Sequence, residues 1–113
     1  MTPSGGEADG ESRELDFDRL IHEPARLVLM SNLYVVDEAD FVFLSRRTGL
    51  TAGNISSHMA RLEAAQYVTI EKTFADKRPR TTYALTNTGR AAFETYRRHV
   101  NALLADNSSH NRQ

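Results

Sequence analysis

Apolar side chains recur every three or four residues in four stretches of the chain, and this spacing predicts four amphipathic helices. The predicted ranges are 24–36, 41–48, 52–65 and 87–104, with one or two helical turns over 15–21 leading into the first. Pro24 suits the first position of a helix, because a backbone N–H would have no partner there. Asp40 and Thr86 are the predicted N-caps of the second and last helices, since their side chains can accept from free backbone N–H groups.

The second and third predicted helices are joined by three residues, 49–51. Gly49 can adopt the left-handed conformation that ends a helix. Leu50 is expected to fill the angle between the two helices, and Thr51 is a good N-cap for the third. This stretch is therefore predicted to be the tight turn of a helix-turn-helix.

The third predicted helix has two different faces. Ile55, Met59 and Leu62 fall at positions i, i+4 and i+7 and form the stripe that is expected to be buried. The opposite face carries Ala52, Gly53, Ser56, Ser57, Ala60 and Arg61, with Asn54 and His58 at its margins. These side chains are small and polar with one long cation, which suits close approach to a DNA backbone and to base edges.

Apolar and polar residues alternate from Val68 to Phe74, a period of two that predicts a strand. A second β-prone run extends from Arg80 to Leu85, so the basic segment 76–80 is expected to form the tip of a hairpin. A helix-turn-helix followed by a cationic hairpin is a winged helix-turn-helix. The predicted fold is thus mainly α with a small β-hairpin wing, in the α+β class.

The net charge of −1 hides an uneven distribution of charge along the chain. Residues 1–18 hold six acids and one base, a balance of −5. Residues 43–82, which contain the predicted wing, hold seven bases and three acids, a balance of +4. Since binding to phosphates depends on local clustering of cations, the basic segment remains a candidate for nucleic-acid binding.

Composition excludes several classes of protein. The chain has no cysteine, which rules out disulfides and thiolate metal sites and fits a reducing cytoplasm. No apolar run approaches the length of a membrane span, so no membrane association is expected. Neither a phosphate-binding loop, a zinc-protease motif nor a nucleophile elbow is present, so we expect no enzyme activity and no cofactor. The histidines at 22, 58, 99 and 110 are far apart in sequence, and packed or surface roles are favoured over a metal site.

The motifs of the central segment resemble those of winged-helix DNA-binding regulators allied to the MarR and ArsR families. The resemblance is carried by residues 49–51, 53–59, 62–63, 67–68, 78–83, 85–86 and 89–90, and it spans roughly residues 17–104. It implies a small, single-domain prokaryotic transcription regulator that is typically dimeric. The sequence departs from the family pattern at Gln66, where a glycine usually ends the recognition helix. Either Gln66 adopts a strained left-handed conformation, at about 1 kcal/mol, or the helix exits differently.

The candidate DNA contacts lie on the second helix, the third helix and the wing. They are Arg46, Arg47, Thr51, Asn54, Ser56, Ser57, Arg61, Lys77, Arg78, Arg80 and Thr82. Arg61 is the candidate for phosphate or guanine contact, and the wing cations are candidates for phosphate or the minor groove. The arginines and serines could instead be ordinary solvated side chains, and for Arg46 and Arg47 the two interpretations are balanced. Asn54 could read an adenine edge or only bond the start of the helix, and these two interpretations are also balanced. His58 could face DNA, but packing against the first helix is favoured.

The last helix carries an apolar seam of Phe93, Tyr96, Val100 and Leu103. This seam could be intramolecular core, a homodimer interface or a docking site for another protein. A homodimer is favoured, because one winged helix reads only a half-site. The predicted organisation is a disordered acidic tail over 1–14, a winged helix-turn-helix domain with a C-terminal dimerisation helix over 15–104, and a polar tail over 105–113.

The predicted function is sequence-specific binding of double-stranded DNA as a homodimeric transcription regulator. The recognition helix would enter the major groove and the wing would contact the flanking backbone or minor groove. The alternative is a winged-helix module that binds proteins without binding DNA. Any small-molecule effector would have to bind at the dimer interface, because the chain has no room for a separate ligand domain.

Overall fold

The computed structural model describes residues 17–111, with side chains described through residue 106. Its elements are α1 (Pro24–Val35), β1 (Ala39–Asp40), α2 (Phe41–Thr48), α3 (Ala52–Ala64), β2 (Val68–Ala75), β3 (Arg78–Leu85) and α4 (Asn87–Asn111). The strands form one antiparallel sheet in the order β1-β3-β2. The predicted winged-helix architecture is confirmed, while the acidic tail predicted over 1–14 lies outside the described residues. No helix in the described part of the chain has the length and apolar character needed to cross a membrane.

One hydrophobic core joins the helices to the base of the sheet. It consists of Ile21, Leu29, Met30, Leu33, Ala39, Leu44, Ile55, Met59, Leu62, Val68, Tyr83, Phe93 and Tyr96. The stripe predicted on α3 is fully buried in it, so α3 is held by one face and presents the other to solvent.

The helix-turn-helix forms as its capping residues predict. The Asp40 carboxylate accepts from the N–H of Phe43 at 2.8 Å and caps α2. Gly49 ends α2 in the left-handed conformation, with φ at 75°. The Thr51 hydroxyl then accepts from the N–H of Asn54 at 3.2 Å and caps α3. The half-buried Leu50 packs against the core between these two helices.

The hairpin is longer and its turn tighter than predicted. β2 and β3 pair as far as Ala75 and Arg78, so the turn consists of two residues, Asp76 and Lys77. Both have positive φ, 54° and 64°, as in the type I′ turn that matches the twist of paired strands. The prediction that residues 76–80 form a loop was wrong, because cross-strand pairing continues through 78–80. The two-residue strand β1 pairs with β3 and was not predicted.

The last helix is also longer than predicted, since α4 continues to Asn111 instead of ending near residue 104. No glycine or proline follows residue 104 to end it. Phe93 and Tyr96 are only 5% and 6% exposed, within a single chain. The Tyr96 hydroxyl lies 2.7 Å from Nδ1 of His22. Phe93 and Tyr96 therefore belong to the intramolecular core, and their assignment to a dimer interface is corrected.

The junction between α3 and β2 is built around Gln66, which adopts the left-handed conformation with φ at 67°. The N–H of Gln66 donates to the carbonyl of Glu63 at 2.8 Å, and that of Tyr67 donates to Leu62 at 2.9 Å. These two bonds are those of a Schellman motif. Of the two alternatives at this position, the strained conformation is the one that the structure adopts.

The beginning of α4 holds this junction in place. The Thr86 hydroxyl donates to the carbonyl of Gln66 at 2.6 Å, and the Thr86 N–H donates to that of Tyr67 at 3.0 Å. A Cβ on Gly89 would lie 2.0 Å from the Tyr67 carbonyl oxygen, so the close approach requires glycine. The Tyr67 hydroxyl donates to the Asp18 carboxylate. Burial, reinforced by that hydrogen bond and the charge of Asp18, raises the pKa of Tyr67 to about 12, so the phenol remains a donor.

Replacing Gln66 by glycine should stabilise the protein, because glycine adopts a positive φ without steric cost. We expect Gln66→Gly to raise the free energy of unfolding by about 1 kcal/mol in urea titrations. Gln66→Ala is the matched control, since it removes the same polar group but keeps the Cβ. Equal effects of the two substitutions would show that the backbone conformation at Gln66 is not strained.

Candidate nucleic-acid interface

The exposed face of α3 is the first part of the candidate interface. Ser56, Ser57, Ala60 and Arg61 all face solvent, as do Thr51 and Asn54 at the start of the helix. Their small side chains leave the helix surface open on this face, with the longer Arg61 toward its C-terminal end. The residues predicted to form the exposed face of this helix are thus exposed in the structure.

His58 is held at the edge of this face and is turned toward α1. Its Nδ1 lies 3.1 Å from a guanidinium nitrogen of Arg26 and 3.9 Å from the carboxylate of Glu23. The Arg26 N–H donating to Glu23 lowers the pKa of that carboxyl, and the nearby His58 and Arg26 act in the same direction against the effect of burial. The predicted packing role of His58 is confirmed, and it leaves this side chain off the exposed face.

A groove separates α3 from the β2–β3 hairpin, which we call the wing. Its volume is about 580 Å³, and Ser56, Ala60 and Glu63 of α3 line one side. Ile70 and Lys72 of β2 line the other. We refer to it below as the α3–wing groove. Lys72 was missed as a candidate site residue, although its alternation with Ile70 in the sequence would have placed it on the α3 side of the hairpin.

The cations of the wing lie on different sides of the hairpin. Lys77 is in the turn, whereas Arg78 and Arg80 are exposed on β3. Since side chains alternate between the faces of a strand, both arginines lie on the side away from Lys72. A guanidinium nitrogen of Arg80 is 3.4 Å from the Asp40 carboxylate. Arg80 thereby connects the wing to the N-terminus of α2, while Arg78 lies nearer the turn.

Thr82 is buried in the sheet, and this burial argues against its assignment as a DNA contact. It lies on the central strand, where it pairs with Asp40 of β1 and Glu71 of β2. Only 9% of its surface is exposed. The pairing of β1 with β3, which was not predicted, makes β3 the central strand of the sheet at this position.

The two arginines of α2 are exposed in the last turn of that helix. Arg47 lies 5.9 Å from the centre of the Phe43 ring, and its Nε donates to the Asn32 amide oxygen at 3.3 Å. Part of its donor capacity is thus used within the domain. Arg46 is exposed on the same turn.

The histidines do not form a metal site among the described residues. His22 contacts Tyr96, and His99 lines a separate cavity beside Phe17 and Asp18. No group of three or more histidine, aspartate or glutamate side chains in the described part of the chain could hold a metal ion. What the fold brings together instead is a polar helix face, a groove and a cationic hairpin.

Comparison with known proteins identifies the domain. A family model described as a winged helix DNA-binding domain matches residues 25–104. The chain belongs to this family. The matched residues include α2, α3 and the complete wing, which are the elements that form the candidate interface.

Individual relatives agree with this assignment. An uncharacterized protein of Methanocaldococcus jannaschii is 30% identical over 78 residues, covering 69% of this chain and 85% of that protein. A transcriptional regulator homologue of Pyrococcus horikoshii superposes with a TM-score of 0.78 at 26% identity, over 87% and 96% of the two chains. A mutant of MarR from E. coli superposes with a TM-score of 0.69 at 17% identity, over 98% and 85%. The resemblance to MarR-type winged-helix regulators is thus confirmed at the level of the fold.

Proposed function

We propose that this chain is a transcription regulator that binds double-stranded DNA as a homodimer. The observation that supports this most strongly is the arrangement of two surfaces on either side of one groove. The polar face of α3 lies on one side and the cationic wing on the other, in a domain of the winged helix DNA-binding family. One helix face and one hairpin can then contact the same duplex at adjacent grooves.

In this proposal, α3 enters the major groove and Arg61 supplies the longest reach toward base edges. A bidentate contact between an arginine and a guanine discriminates against other bases by about 1–3 kcal/mol. Ser56 and Ser57 are short hydroxyl donors, suited to phosphate oxygens or base edges at close approach. The buried stripe on the opposite face of α3 keeps this helix rigid during the approach.

The wing supplies charge to the flanking DNA. Lys72, Lys77 and Arg78 are exposed on the hairpin, with Arg80 beside Asp40 at its base. Neutralising a phosphate releases condensed counterions, so each contact contributes to affinity and to its dependence on salt. The two arginines lie on the side of the hairpin away from α3, where they would contact phosphates beyond the α3 site.

The distal half of α4 favours a homodimer. The helix has 25 residues, and from residue 101 to 106 its side chains are exposed except for the half-buried Leu103. Leu104 is 57% exposed. A helical end with two leucines and few contacts to its own domain gains stability when a second copy covers it. Two-fold pairing would also present two α3 helices to successive major grooves.

Removing the wing arginines should weaken binding to all duplexes. We expect the double substitution Arg78→Ala with Arg80→Ala to reduce the slope of log affinity against log salt by about 2, because each lost phosphate contact removes about 0.9 from that slope. The separate substitution Arg61→Ala should weaken binding and should also reduce the preference for fragments selected from genomic DNA over random duplexes. Fluorescence anisotropy with labelled duplexes at several salt concentrations measures both effects.

Arg98→Ala is the matched control, since Arg98 is exposed on α4 and donates to Thr95 away from the α3–wing groove. This variant should keep the parent's affinity and slope. If the parent's affinity for duplex DNA does not depend on salt, or if the wing variant binds as tightly as the parent, the proposed DNA contact is wrong. A protein that binds no duplex would favour the alternative of a protein-interaction module.

Acidic side chains at the distal end of α4 should separate the two copies. We expect Leu103→Glu with Leu104→Glu to convert the dimer to monomers in size-exclusion chromatography with light scattering, because two buried carboxylates would carry a large desolvation cost. Val35→Glu, at another exposed apolar position, is the control and should remain dimeric. A dimer that persists in the leucine variant would place the interface elsewhere.

A further inference from the structure

The wing carries an aromatic side chain that neither the fold nor the charge of the hairpin explains. Phe74 is 76% exposed. It is the second-to-last residue of β2, which ends at Ala75 just before the two-residue turn. Its direct neighbour across the hairpin is Pro79. The core of the domain reaches β2 only as far as Ile70, so Phe74 contributes nothing to that core.

The side of the hairpin on which Phe74 lies is defined by strand alternation. Phe74 shares its side with Ile70 and Lys72, which line the α3–wing groove together with Ser56 and Ala60. The ring is therefore on the same side as the exposed face of α3. A duplex seated against α3 and the wing would meet this ring at the distal end of the hairpin.

The surroundings of Phe74 are cationic and conformationally restricted. Residues 71–80 hold four bases and two acids. The turn at Asp76 and Lys77 is tight, and Pro79 fixes its own φ on the facing strand. Little conformational freedom would be lost on binding, which matters for a hairpin that extends beyond the core.

We propose that Phe74 is a wedge that enters the minor groove beside the α3 site and partly unstacks one base step. This inference rests on the DNA binding proposed above and adds a deformation of the duplex to it. Apolar side chains inserted between base steps kink DNA toward the major groove, and the kink allows more of the protein to contact the backbone. The minor groove is about 6 Å wide, which admits one ring edge-on while the flanking cations contact the phosphates.

The wedge has a different energetic signature from that of the cations. An aromatic ring releases no counterions, so its removal lowers affinity without changing the salt slope. Loss of one aromatic stack on a base corresponds to a loss of affinity of about tenfold. Removal of the wing arginines should also lower affinity, but it should reduce the salt slope as well.

The test uses the full chain and a duplex carrying a site recovered by selection, with dyes on both ends and 2-aminopurine placed in turn at each step flanking the site. With the parent, we expect 2-aminopurine fluorescence to rise at one flanking step and the end-to-end distance to shorten. Phe74→Ala should abolish both signals, lower affinity about tenfold and leave the salt slope unchanged. Phe74→Leu should keep part of each signal, because leucine is also an apolar wedge. Val35→Ala, a matched change at a side chain that is 80% exposed on α1, should behave as the parent does.

The possible failures are distinguishable. If the parent binds the duplex but 2-aminopurine stays quenched at every step, or if Phe74→Ala reproduces the parent's signals, the wedge is wrong and DNA binding stands. If Phe74→Ala instead reduces self-association in sizing with light scattering and leaves the DNA signals intact, Phe74 packs against a second copy and the wedge is again wrong. A parent that binds no duplex overturns both this inference and the proposed function.

Discussion

The left-handed conformation of Gln66 sets the direction in which the chain leaves α3, and the position of the wing depends on it. The two Schellman hydrogen bonds end the helix, and Thr86 binds the carbonyls of Gln66 and Tyr67 from the other side. The absence of a Cβ at Gly89 lets α4 begin directly against the same segment. A recognition helix and a hairpin can bind one duplex together only if their relative orientation is fixed, and this junction fixes it.

The wing is secured a second time at its base. β1 pairs with β3 beside Asp40, which caps α2 and lies 3.4 Å from Arg80. An exposed ion pair contributes at most about 1 kcal/mol to the stability of a fold. The pair of Arg80 with Asp40 therefore matters more for positioning the wing against α2 than for stability. Asp40 connects the first helix of the helix-turn-helix to the wing, and through the turn at Gly49 both are connected to α3. The candidate interface is therefore one unit, although its residues come from four elements.

Much of this arrangement could be predicted from the sequence because it depends on local physical chemistry. The buried stripe of α3, the caps at Asp40 and Thr51 and the turn at Gly49 follow from helical periodicity and from the backbone groups that helix ends leave unpaired. The two-residue turn could not be predicted in the same way, since Lys77 with positive φ has no signal comparable to that of glycine. The central position of Thr82 in the sheet could not be predicted either, because β1 is a two-residue strand that pairs with residues more than forty positions away. The seam of α4 was ambiguous because Phe93 and Tyr96 have the spacing of an interface and of a core alike. The tertiary contacts of Phe93 with Tyr34 and of Tyr96 with Phe17 and His22 decide between them.

The most direct test of the central claim, that α3 and the wing form one DNA-binding surface, is an NMR titration of the isotopically labelled protein with duplex DNA. We expect amide shifts to concentrate on the exposed face of α3 and on residues 71–80, with both groups changing together along the titration. Shifts that concentrate on α1 and α4 while α3 and the wing stay unchanged would contradict the claim.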